Sequence, residues 1–314
     1  MFWKKKREAR PLGVSWERLV VALSATKLKV TRQGDSLIVE HPNFSTHVDV
    51  VRPAARESKD GPLEAVVQVR TALPREVAAL FSKPEMTAGM NKFATLGALT
   101  VDSGDVFVGS RLTLYEAEQA GDIQIPMLLF SVILGTSSLL GAMRRAFGPE
   151  KGEKSASAWV ESDFEQVKGY LSRVSVCTTG GLGLTAEFGL REGAVSAVAG
   201  DHDTALWQLQ ADQPHPELGG GLFCLLQLPH QLSDEARLDQ VLVQLNQMEM
   251  APHDLPPHFG AWCPGQRGYN PAYVSFLPNA LHSAVPGIAV NMSAWALGRA
   301  KWANALLTSM GVRA

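Results

Sequence analysis

The stretch LPHQLSDEARLDQVLVQLN, Leu228 to Asn246, has a counterpart earlier in the chain, LPREVAALFSKPEMTAGMN, Leu73 to Asn91; the proline and the asparagine keep the same spacing in both. A Leu-Pro pair suits the end of a strand, because proline has no N–H to give a sheet ladder. In the later copy Ser233 reads as a helix N-cap, and Asp234 and Glu235 suit the positive end of the helix dipole. Leu238, Val241, Leu242 and Leu245 recur at i, i+3, i+4 and i+7, an apolar stripe facing a core. Asn246 falls at the helix end, where it can satisfy backbone groups. In the earlier copy Pro84 divides the stretch, since an interior proline costs about 3 kcal/mol. Val77, Leu80 and Phe81 then make one short face, and Met86, Met90 and Phe93 another.

The flanking segments repeat as well. SWERLVVALSATK (15–27) has helical spacing of Trp16, Leu19, Val20 and Leu23. LKVTR, SLIVE, THVDVV and EAVVQVR alternate as strands and lead into the first Leu-Pro stretch. LGALTVD and DVFVGSRLTLY follow, joined by SGD as a hairpin, before an apolar stretch from Ile125 to Phe147. GPEKGEKSASA (148–158) is polar and small and reads as a linker. The order then restarts. ESDFEQVKGYLSRV is a helix with Phe164, Val167 and Leu171 on one face; LTAEFGL, AVSAVAG, TALWQLQ and GLFCLLQ are strands. The second Leu-Pro stretch, the strands HFGAWCP and AYVSFLP, and a helix from about Pro286 to Met310 complete it. The expectation is an α+β chain of two pseudo-repeated domains, 11–148 and 159–314, with 149–158 between them. Each is an antiparallel sheet packed with helices in the order α-β-β-β-α-β-β-α.

Ile123 to Met143 contains no charged residue and is as long as the roughly 20 residues that cross a bilayer. Arg144 and Arg145 follow it, but Gln124, Pro126, Gly135 and Thr136-Ser137-Ser138 interrupt it. The matching helix VPGIAVNMSAWALGRAKWANALL carries Asn291, Arg299 and Lys301 and cannot span. A buried core or interface helix is therefore the reading, with membrane association through Ile123–Met143 as the alternative.

A net charge of -2 argues against a nucleic-acid partner, which needs a basic field. The N-terminal MFWKKKREAR has no apolar region behind it and is not a secretory signal; Phe2 and Trp3 beside the lysines leave membrane-surface contact as a lesser reading. Cys177, Cys224 and Cys263 are widely spaced without a C-x-x-C, so they read as reduced, buried thiols of a cytoplasmic protein. GGLGLTA (180–186) matches G-x-G-x-x-A, yet strand alternation follows it where a dinucleotide site needs a helix. His253 and His258 flank a Pro-Pro turn and lack a third ligand nearby; His202 lies in a turn; Ser24 to Lys27 fits S-x-x-K only by its letters. Cys263, with His258 or His282, reads as a strand residue before it reads as a nucleophile. No catalytic residue, cofactor or metal is assigned, and the chain is read as a non-enzyme; an enzyme site between the halves is the alternative. Trp295 and Trp302 on the last helix are candidates for a protein-binding patch, with Leu128 and Phe130 on the apolar stretch.

The order of elements, with MNKFATLGALTVDSGDVFVGSRLTLY, LVQLNQM, FGAW and YVSFLPNAL, resembles the secretion-chaperone-like fold of type III secretion chaperones and of the YbjN-type bacterial family. The resemblance covers nearly the whole chain as two copies. It implies helices on a twisted antiparallel sheet in each half. It also implies a non-catalytic role, chaperone-like or regulatory, in binding a protein client through apolar helix or sheet surface. It carries over no functional residues. Fusion in tandem implies an intrachain pseudo-dimer as a monomer, or a homodimer of such chains.

Overall fold

The structure is a computed structural model that describes residues 20–21, 28–34, 36–41, 44–51, 63–115, 135, 157–190, 204–215, 218–251, 255–266 and 268–313. It is α+β, with two six-stranded antiparallel sheets. The first holds β1 (Lys29–Gln33), β2 (Ser36–Glu40), β3 (Ser45–Val51), β4 (Leu63–Ala72), β5 (Ala98–Asp102) and β6 (Asp105–Tyr115), in the order β1-β2-β3-β4-β6-β5. The second holds β7 (Ser175–Thr179), β8 (Gly183–Gly189), β9 (Thr204–His215), β10 (Gly219–Gln227), β11 (Ala261–Pro264) and β12 (Pro271–Pro278), in the order β7-β8-β9-β10-β12-β11. Counted within each half, the two orders are the same.

The registers agree too. Gln68 faces Arg111 and Thr71 faces Val108 in the first sheet; Phe223 faces Phe276 and Leu226 faces Tyr273 at the same places in the second. Leu37 opposite Val48 corresponds in the same way to Leu184 opposite Leu209. A one-residue slip would turn every side chain to the other face. Matched registers therefore mean matched inner and outer faces.

Each sheet begins with four strands, as many as the segments read as strands before each Leu-Pro stretch, where the condensed order has three. In the second half the additional strand is β7: SVCTT is short and half polar, and pairing with β8 makes it a strand. AVSAVAG, the expected strand at 194–200, lies outside the described residues, as do the tail, the helix at 15–27 apart from Val20–Val21, and residues 149–156 of the linker. SGD forms a two-residue hairpin as expected: Ser103 and Gly104 both take positive φ, at 52° and 90°. GGLGLTA leads into β8, a strand.

Six helices are described: α1 (Arg75–Ala78, continued by a 3-10 turn), α2 (Pro84–Met90), α3 (Glu161–Leu171), α4 (Glu235–Met250), α5 (Asn279–Ala284) and α6 (Ile288–Ser309). Pro84 does divide the first Leu-Pro stretch, standing at the first position of α2, where its missing N–H costs nothing. On α4, Leu238, Val241, Leu242 and Leu245 are buried as their spacing requires, and Phe164, Val167 and Leu171 are buried on α3. The N-cap of α4 is Asp234 instead of Ser233: its carboxylate accepts the Arg237 N–H at 2.8 Å, and Ser233 donates to that carboxylate at 2.7 Å. These hydrogen bonds, the backbone one first, hold the Asp234 carboxyl below the usual range.

The faces expected in the first copy hold for Val77 and Phe81, which are buried, and are corrected elsewhere. Leu80, Met86 and Phe93 are 44%, 44% and 49% exposed, while Thr87, Ala88 and Asn91 are buried. α2 lies directly against α4, and a close helix contact favours the small Thr87 and Ala88 over the long Met86.

The two asparagines answer to each other. Asn91 gives its amide N–H to the Leu99 carbonyl at 3.0 Å and accepts the Leu99 N–H at 2.8 Å. Asn246 does the same with Trp262, at 2.9 and 2.8 Å. Each asparagine ties its helix to the second residue of the following edge strand. The Leu-Pro pairs match as well: Leu73 donates to the Val106 carbonyl and Leu228 to that of Pro271, so each β4-type strand ends against the strand beside it.

The inner sheet faces share one core. Leu37, Val39, Val48, Val67 and Val69 join Leu184, Ala186, Leu209, Leu222 and Cys224 and the buried residues of α3, α4 and α6 in it. The halves meet through equivalent elements: α2 on α4, α4 on β5, and α2 with its following turn on β11. This is the reciprocal pattern that a two-fold axis creates. Ala94 and Ala98 of the first half complete that contact against Leu225, Ala261, Cys263, Ala272 and Val274. No described helix is long and apolar enough to cross a membrane; Ile123–Met143 lies outside the described residues except Gly135, which is helical and buried.

Candidate functional site

Among the described residues, two polar places stand out, one sealed and one open. The sealed group lies where the halves meet. Arg299 on α6 donates from Nε and Nη2 to the two carboxylate oxygens of Glu249 at the end of α4, and from Nη2 to the Pro257 carbonyl at 2.7 Å. Trp262 Nε1 donates to Glu249 Oε1 at 3.1 Å. His258 Nδ1 lies 3.2 Å from the Tyr273 hydroxyl and 3.6 Å from Glu249 Oε2. The Arg299 guanidinium stands 4.1 Å above the Tyr273 ring. From the first half, Arg111 on β6 donates to the Glu249 main-chain carbonyl and to the Pro256 carbonyl, and pairs with His258 through two backbone hydrogen bonds.

Burial by itself would raise the Glu249 carboxyl. The charges of Arg299, His258 and Arg111 outweigh it and hold Glu249 below the usual carboxylate range. Burial lowers and Glu249 raises the Arg299 pKa; the carboxylate prevails. Burial pushes Tyr273 up. None of Arg111, Glu249, His258, Tyr273 and Arg299 is more than 3% exposed. These groups face one another and not a cavity. The arrangement clamps α4, α6, the segment before β11 and the first half's β6.

The cysteine candidates are buried in strands: desolvation pushes Cys224 and Cys263 up to about 12, so both are neutral thiols. His282 is paired with Asp163 at 2.9 Å. His253 and His202 lie outside the described residues. Among the described residues no group of three or more His, Cys, Asp or Glu is placed to hold a metal ion.

The open place is a hollow of about 410 Å³ on the outer face of the second sheet. Thr178, Thr185, Gln208 and Gln210 come from β7, β8 and β9; Phe223 and Leu225 come from β10; Gln266 comes from the turn between β11 and β12. None of the described residues lining it is charged. Phe223 and Leu225 also belong to the apolar cluster between the halves, so the hollow is continuous with that contact.

The first sheet shows what the same surface does elsewhere. Matching pairs place Ile38 opposite His47 where the second sheet has Thr185 opposite Gln208, and Ser36 opposite Asp49 where it has Gly183 opposite Gln210. Asp49 and Gln68, with His47 and Arg70, likewise match Gln210 and Phe223, with Gln208 and Leu225. In the first sheet Asp49 accepts from Ser36 at 2.8 Å and pairs with Arg70 at 2.8 Å, covering the face with a charged network. A smaller hollow of about 300 Å³ lies beside it at the junction, where Gln68 donates to the Met250 carbonyl at 2.6 Å.

The predicted binding residues fall apart in space or outside view. Trp295 and Trp302 are half-buried on α6, with rings 5.9 Å from Phe259 and 6.5 Å from Trp262. Leu128 and Phe130 lie outside the described residues. The outer-face glutamines were missed because Gln208 and Gln210 read in the sequence only as the polar half of a strand alternation. Comparison of the chain with family models, with curated proteins and with solved structures returns no match.

Proposed function

We propose that the chain is a non-catalytic protein-binding module. In this reading two secretion-chaperone-like domains of YbjN type are fused as a pseudo-dimer and hold a protein client on their outer sheet surface. The observation that carries it is the reciprocal meeting of equivalent elements, α2 with α4 and each with the other half's edge strand. That contact also covers part of each outer face, with Arg111 on the first sheet and Leu225, Ala272 and Val274 on the second, and leaves the remaining outer strand faces for a partner. The sealed state of the Glu249–Arg299 network supports a structural role for it, since general acid–base work needs a group within reach of substrate. The free thiols of Cys177, Cys224 and Cys263 agree with a reducing, cytoplasmic setting.

The test is capture of proteins from lysate on the immobilised full chain, followed by hydrogen exchange of the purified complex. A stoichiometric client that protects outer strands of either sheet is the expected result. Absence of any stoichiometric client, or protection confined to α6, would refute the proposal.

A further inference from the structure

We infer that the hollow on the second sheet is a binding site for an extended, uncharged segment of polypeptide. This rests on the protein-binding reading and names the partner chemistry for one face of it.

The two halves act as internal controls for each other. At equivalent register positions the first sheet carries Ser36, Asp49 and Arg70 in one bonded network, and the second carries Gly183, Gln210 and Leu225. Every charge at these positions is gone, and an open space stands in place of the network. Its volume, about 410 Å³, is within the range of about 300–1,000 Å³ typical of ligand sites.

The lining selects the occupant. Threonine hydroxyls and glutamine amides both donate and accept, as do the peptide units of an extended chain, which present one donor and one acceptor per residue. Phe223 and Leu225 offer an apolar floor for one side chain between those polar groups. A charged side chain would lose water there, and none of the described residues lining the hollow offers it a counter-charge, which makes its entry costly. The first sheet's surface, with Asp49 and Arg70 engaged, does not offer these contacts. The site is therefore confined to the second half, and it borders the contact between halves through Phe223 and Leu225.

The probe is a random heptapeptide library displayed on phage, selected on the full chain. Selected peptides should lack Asp, Glu, Lys and Arg over their central positions. Their synthetic copies should bind the double variant Thr178→Glu/Gln210→Glu at least tenfold more weakly and bind Gln240→Glu, an exposed change on α4, unchanged. Thr178 and Gln210 are both exposed, so the fold is kept; melting temperatures check this. Enrichment of charged peptides, equal binding to the double variant, or no enrichment would overturn the assignment. Shifts of the Gln208, Gln210 and Gln266 side-chain amide resonances with maltotriose but not with peptide would overturn it too, in favour of a neutral oligosaccharide. If lysate capture succeeds while this selection fails, protein binding stands and the site falls. If capture yields no client and the selection fails too, both fall.

Discussion

Asn91 and Asn246 each satisfy an N–H and a C=O of an edge strand from a buried helix end, and no other side chain of that size offers both groups in one plane. Asn246→Ala should leave the Trp262 backbone groups without partners in the core, at about 1–3 kcal/mol for each unsatisfied group. Asn91→Ala should do the same at Leu99. Urea denaturation of the two variants checks this, and a loss below about 1 kcal/mol in both would count against the role. Glu249 makes a pH-dependent contribution. Its folded pKa is depressed below the ordinary value of about 4.3, so its stabilisation is present above that value and is lost as pH falls through the folded pKa. Glu249→Gln should cost about 3–5 kcal/mol at pH 7, because Arg299 stays buried without its counter-charge. The gap to the unchanged protein should narrow at pH 3. Denaturant midpoints at the two pH values measure it.

At the scale of elements, α4 is governed by its buried stripe. Leu242→Asp should unfold the second half, because it places an unpaired carboxylate at a fully buried position. Gln240→Asp, on the exposed side, should leave the melting temperature within a few degrees. Equal melting temperatures would refute the assigned face. The contact of α2 with α4 contains one unfavourable charge. Asp239 is nearly buried there; burial first, then Glu235 and Glu85, raise its pKa, against a weaker pull from Lys92. A raised carboxyl pKa means stability falls as pH rises through it. Asp239→Asn should therefore raise the melting temperature at pH 7 and change it little at pH 3, as thermal scans at both values would record.

At the scale of the molecule, inner-face residues of both sheets belong to one apolar core, and Arg111 and Glu249 link the halves through the sealed network. The chain should accordingly unfold in a single cooperative transition, with calorimetric and van't Hoff enthalpies in agreement. Two separated transitions would show that the halves are energetically independent. The repetition behind this was legible in the chain itself: the strand alternation, the Leu-Pro turns, the break at Pro84 and the stripe on α4 are local patterns, set by backbone geometry and 2.0- or 3.6-residue periodicity. The partner of Asn246 was not legible, because it is Trp262, across a stretch with no periodic signal. Nor was the burial of Thr87 and Ala88 in preference to Met86, which depends on how closely another helix approaches. The burial of Arg111 and Arg299 was not legible either, because only the fold brings Glu249 and the carbonyls around it to them. The hollow is the clearest case. Thr178, Gln208, Gln210 and Gln266 come from three separate segments, and each by itself is an ordinary polar residue. Only strand pairing and register set them on one face, next to a contact between halves, and only the equivalent charged face of the other sheet gives their neutrality a meaning.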